Sequence, residues 1–121
     1  MVLTNILAIA EIKVKKGDRH RVLSSRKIEK VLDEVRKDKG DIYAKAAILM
    51  VGVTRAQAFE SANRRTAWIA TDAFLRVNGR SMRAVYKGGV MTGIREGFYT
   101  TEEVRGWLTG HAIKDFQRNQ G

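Results

Sequence analysis

The residues best suited to chemistry lie in one short run, Gln57-Ala58-Phe59-Glu60-Ser61-Ala62-Asn63-Arg64-Arg65-Thr66. It is a polar turn between two apolar-rich segments, 41–54 and 62–78, that both read as helices. Backbone N–H groups at a helix start are unpaired and carry partial positive charge, so a turn feeding a helix is a natural anion site. Asn63, Arg64 and Arg65 fall on that first turn and add side-chain donors. The chemistry these types and spacing suit is a phosphate cradle.

The elements that must hold this turn are legible from periodicity. Ser24 and Ser25 can cap a helix whose apolar face is Ile28, Val31, Leu32 and Val35. Lys39-Gly40-Asp41 ends it and caps the next. Segment 41–54 leaves almost no polar face after Lys45, which marks a buried central helix. The helix after the turn places Ala67, Ala70, Ala73, Phe74 and Val77 inward, and Asn78-Gly79 closes it with a left-handed cap. Residues 80–86 read as extended or irregular. Gly88-Gly89 is expected to break the chain before a short helix that Gly97 ends. Thr100 with Glu103 forms a capping box for a helix burying Val104, Trp107 and Leu108, and 112–116 is expected to add a terminal turn or two. Near the start, Ile6, Ala8, Ala10, Ile12 and Val14 alternate as a strand does, while Leu3, Ile6, Leu7, Ala10 and Val14 also fit one helical face. A strand at 10–15 is preferred, with Gly17-Asp18 as a turn and Arg19-His20-Arg21 as a basic loop. The expectation is a single, compact all-α domain over 1–121 around a central buried helix pair, with a short N-terminal β-strand or flap.

Bulk properties narrow the classes. At 121 residues the chain suits one core. Hydrophobic residues make up 44%, too many for a chain disordered by composition. There is no cysteine, which rules out disulfides and fits a reducing cytoplasm, and two histidines make a zinc site a poor expectation. No segment approaches the ~20 apolar residues of a membrane helix, and 1–10 lacks the basic leader of a signal peptide. Lys plus Arg total 23 against 13 acids, a net charge of +10. The bases are spread along the chain, and aromatics are not interleaved with them. A solvated surface is therefore favoured over a nucleic-acid groove, and a basic nucleic-acid-binding protein ranks as a further alternative.

The turn and its flanks resemble the Fic/Doc family, and most closely its Doc (death-on-curing) toxin branch. The family pattern is His-x-Phe-x-Asp/Glu-Gly/Ala-Asn-Gly/Lys-Arg, with Thr commonly following in the Doc branch. Phe59, Ala62, Asn63, Arg65 and Thr66 stand in register, and Ala62 and the basic Arg64 are Doc-like. The resemblance covers about 41–108, with a weaker echo at 23–35. It implies an all-α domain that binds ATP with Mg²⁺ and moves a phosphate, or AMP, onto a protein hydroxyl. It also implies a toxin with an antitoxin protein as partner and a translation factor of the elongation factor Tu type as target. A homodimer is left open. The resemblance assigns Asn63 to orienting phosphate oxygens, Arg65 and Arg64 to neutralising their charge, Arg55 to a further phosphate contact, and Phe59 to anchoring the turn.

Two positions depart. The family histidine, which accepts the proton of the attacking hydroxyl, falls on Gln57, whose amide has no useful basicity. Loss of a general base costs roughly 100- to 10,000-fold in rate. The metal-holding carboxylate falls on Ser61, a weak ligand for a hard cation, with Glu60 beside it. The expected activity is therefore impaired, and a non-catalytic module of the same fold that binds a nucleotide or a partner is the alternative. Thr92-Gly93-Ile94-Arg95-Glu96-Gly97 matches the short self-inhibitory pattern of Fic proteins, but the arginine such a glutamate pairs with is Trp68 here. The run is read as an ordinary helix end, with inhibition left to a separate antitoxin.

Overall fold

The computed structural model describes residues 25–56 and 63–117. They form five α-helices: α1 (Ser25–Lys37), α2 (Ile42–Ala56), α3 (Asn63–Val77), α4 (Gly88–Arg95) and α5 (Thr101–Leu108), with no strand among the described residues. The fold is all-α, as expected. The strand at 10–15, the turn at 17–18 and the basic loop at 19–21 lie outside the described residues.

The core is built on α2. Ala46, Ala47, Leu49, Met50 and Val53 are fully buried, and no residue from 42 to 54 is exposed. A helix apolar on every side needs cover on every side, and α2 packs against all four other helices. From α1 come Ile28, Val31 and Val35, from α3 Ala67, Ala70, Phe74 and Leu75, and from the C-terminal pair Val90, Met91, Ile94, Val104, Trp107 and Leu108. Small residues set the approach: a Cβ at Gly52 would sit 2.6 Å from Val31 Cγ1, so α1 crosses α2 at that glycine.

Helix ends are fixed by side chains and by glycines. Asp41 Oδ1 accepts the Ala44 N–H (2.8 Å), an N-cap on α2, and the same carboxylate takes Arg105 Nε (3.2 Å) and Nη2 (2.5 Å) from α5. Lys45 Nζ donates to the carbonyls of Val35 and Asp38, placing a cation on the negative end of α1. The Thr100–Glu103 capping box is present in both directions. The N–H of Thr100 holds the Glu103 carboxyl below the usual range, helped by Lys114. Gly79, Gly97 and Gly110 all take positive φ, and each closes its helix with the same pair of bonds, such as Arg80 N–H to Leu75 O (2.8 Å) with Gly79 N–H to Arg76 O (3.1 Å).

Three local expectations are corrected. Gly88-Gly89 does not break the chain but opens α4, where the first N–H groups have no helical partner to lose. Val77 is 45% exposed, because α3 ends there and leaves the shelter of α2, whereas Thr71 turns inward and donates to Ala67 O (2.7 Å). Residues 111–117 are not helical. Gly110 turns the chain back, and the tail lies across α4: Tyr99 Oη donates to Lys114 O (2.8 Å), and Phe116 meets Phe98 edge to face. Gly93 admits that covering, since a Cβ there would sit 2.5 Å from Tyr99 Cε2.

The Asp41–Arg105 contact ties the start of α2 to α5 and is testable. Arg105's hydrogen bonds, then the Ala44 N–H, hold the Asp41 carboxyl below its ordinary value. A carboxyl depressed on folding stabilises above its unfolded pKa of about 3.9 and loses that contribution as pH falls through its lower folded value. Asp41→Ala should cost about 1 kcal/mol near neutral pH, mostly the lost cap, and Asp41→Asn less, because asparagine still caps and the carboxylate is half exposed. In urea melts the gap between wild type and Asp41→Asn should close as the pH falls through the lowered folded value of the Asp41 carboxyl.

Candidate functional site

The predicted site is distributed over the facing ends of α2 and α3. Arg55 stands exposed on the last turn of α2. Asn63 opens α3, its side chain outside the described part, and Arg64 and Arg65 follow on the first turn. Gln57, Phe59, Glu60, Ser61 and Ala62 lie outside the described residues. The described ends therefore supply a fifteen-residue helix whose N-terminus carries two arginines, with a third cation on the helix leading in. Unpaired N–H groups and the aligned peptide dipoles make such an end attractive to anions.

Helix α4 braces both sides of the turn. Arg64 Nη1 donates to Thr92 Oγ1 (2.7 Å), and that hydroxyl donates in turn to Gly88 O (3.0 Å). At the other end of α4 the Arg55 guanidinium lies against Gly97, where a Cβ would come 3.8 Å from Nη2. One guanidinium nitrogen of Arg64 is thus committed to orientation, which leaves its other donors for an anion. Arg65 is exposed. Arg55 also edges an open groove of about 830 Å³ between α1 and α2, walled by Lys27, Lys30 and Lys37 with Val31 and Ile48 below.

Thr66 is fully buried, and its hydroxyl has no hydrogen-bond partner; the same holds for Thr54 on the last turns of α2. The two bracket the turn from either side. A buried unpaired hydroxyl costs about 1–3 kcal/mol and needs a reason.

Sequence reasoning missed Thr92 as the partner of Arg64. Its one signal was the short inhibitory pattern, whose threonine the structure connects to Arg64 of the motif helix. Glu96 forms an exposed pair with Arg95 (3.4 Å), and Gly97 closes α4 like the other two helix-ending glycines. Trp68 packs against Trp107 and, edge to face, Tyr86 (ring centroids 5.6 and 5.3 Å apart). No group of three or more His, Asp or Glu able to hold a metal occurs among the described residues.

The described residues thus form an all-helical domain in which the facing ends of a central helix pair carry Arg55, Arg64 and Arg65. The sequence model of the Fic/DOC family matches residues 13–75, and the chain belongs to that family. No curated protein matches the chain.

Removal of the orphan hydroxyls tests that they are unpaired. Thr54→Val should be neutral or raise stability by up to about 1 kcal/mol, since the isosteric methyl needs no partner. Thr66→Val should do the same in thermal melts. A loss of more than about 1 kcal/mol from either variant would mean that its hydroxyl is bonded within the fold.

Proposed function

We propose that this Fic-type domain is a Doc-type toxin of a toxin–antitoxin pair. It moves a phosphate, or AMP, from ATP to a hydroxyl of a protein target such as a translation factor, and it is impaired as written because Gln57 replaces the family histidine. The observation that carries the reading is the start of α3, where Asn63, Arg64 and Arg65 open a helix on the family's register.

The residues present fit a polyphosphate. Helix N–H groups, the planar forks of Arg64 and Arg65, and Arg55 across the turn offer convergent donors. The unpaired Thr66 hydroxyl lies at the same helix end. The fit to Mg²⁺ is poorer: the metal position is Ser61 with Glu60 beside it, a hydroxyl where a carboxylate is wanted. When bound, ATP supplies the transferable group. In transfer from its terminal phosphate, the target's hydroxyl oxygen bonds to phosphorus, ADP leaves, and the hydroxyl proton must go to a base. This chain's contribution is to position the phosphates and offset their charge. At position 57 the amide can accept a hydrogen bond from the hydroxyl but cannot take its proton.

Gln57 also favours a second reading, a non-catalytic module of the same fold that binds a nucleotide or a partner. Restoration of the base decides between them. With ATP labelled at the α or γ phosphate and translation factors as acceptors, Gln57→His should transfer label from γ, roughly 100- to 10,000-fold faster than the Gln57 protein. Label from α would indicate AMP transfer, and ATP binding without transfer would favour the non-catalytic module. Separately, Arg65→Ala should abolish measurable ATP binding by calorimetry while the protein remains folded by circular dichroism. Unchanged affinity would remove Arg65 from the site.

A further inference from the structure

Residues 73–95 contain five bases, Arg76, Arg80, Arg83, Lys87 and Arg95, and no acid. The large hydrophobic side chains exposed among the described residues, Val77, Val85 and Tyr86, fall in the same stretch. The two properties coincide at 83–87. Arg83 and Lys87 are exposed and take part in no ion pair among the described residues, and Val85 between them is 74% exposed. Beside them is a hollow of about 190 Å³ lined also by Trp107 and Ile113. At about 30 Å³ per water it has the room of roughly six waters, enough for one leucine- or phenyl-sized side chain. Its wall is tied to the helical core. Arg83 N–H donates to Leu108 O (3.2 Å), and Trp107 is buried against Trp68.

We propose that this face docks an acidic segment of a partner protein, with one bulky apolar side chain of that segment seated against Val85 at the edge of the hollow and its carboxylates on Arg83 and Lys87. Cations without acids beside them select negative charge, and the exposed Val85 between them supplies an apolar surface that a partner side chain would cover. A protein is favoured over a nucleic acid because the exposed apolar surface is chiefly aliphatic, and the Tyr86 ring already meets Trp68 edge to face. A stacking platform for bases needs open aromatic faces. Docking at this surface requires no nucleotide, so it stands apart from the transfer reaction.

The test uses fluorescence anisotropy with three labelled probes of matched length: a random glutamate–tyrosine copolymer, polyglutamate and oligothymidylate. The copolymer should bind best, at least about tenfold tighter than polyglutamate, as expected for burying one large side chain. Arg83→Glu with Lys87→Glu should weaken it at least about tenfold. Val85→Ser adds no charge and should erase most of the copolymer's advantage over polyglutamate. Lys27→Glu with Lys30→Glu, the same charge change on the α1 groove, should leave binding within about twofold. Circular dichroism melts confirm that each variant is folded. Equal binding of copolymer and polyglutamate, tighter binding of oligothymidylate, or an equal loss from the α1 variant would each overturn the proposal.

Discussion

The constraint on which this structure depends is the central position of α2, from which no residue between 42 and 54 is exposed. A helix with a polar face can rest on a sheet or a single neighbour, but α2 has almost no polar face before Arg55. Its burial demands partners all around it, and the rest of the sequence is organised to provide them. The long helices α1 and α3 carry one apolar face each, and the eight-residue α4 and α5 cover what remains. Alanines at 46, 47, 67, 70 and 73 let backbones come close, and Gly52 removes the last obstacle between α1 and α2. Because α2 leads directly into the motif turn, its rigidity sets the position of Arg55 and, through its packing with α3, the start of that helix.

This explains why so much of the fold is legible in the sequence. Burial on all sides, one-faced amphipathicity and end signals are local patterns read over one or two turns. The Asp41 cap, the Thr100–Glu103 box and the left-handed glycine at 79 all appear where residue type dictates. The readings that failed depend on distant partners. Whether 112–116 winds into a helix is decided by what it meets, and it meets Tyr99 and Phe98, which hold it extended through Lys114 and Phe116. Val77 has the right spacing for the core, but only the length of α2 determines where the core stops.

The site divides in the same way. Its expected register rests on a contiguous motif, and of that motif the described residues Asn63 to Thr66 lie on the first turn of α3. Its support was not legible. The Arg64–Thr92 bond joins positions twenty-eight residues apart, and nothing in either local pattern announces the pair. Nor could sequence foresee that Thr54 and Thr66 would both be buried with unpaired hydroxyls, since a threonine in a helix ordinarily bonds a carbonyl one turn back or faces water.

The bracing of the turn by α4 also bears on how an altered motif remains useful. Phosphate binding needs fixed donors, and these depend on packing: Arg64 on Thr92, Arg55 against Gly97, and both on an α4 seated over α2 by Val90, Met91 and Ile94. Proton abstraction needs only the chemistry of one side chain at position 57. The two requirements are therefore separable. The contacts that place Arg55 and Arg64 draw on the packing of α4 over the buried core, whereas a proton acceptor would depend on the side chain at 57 alone.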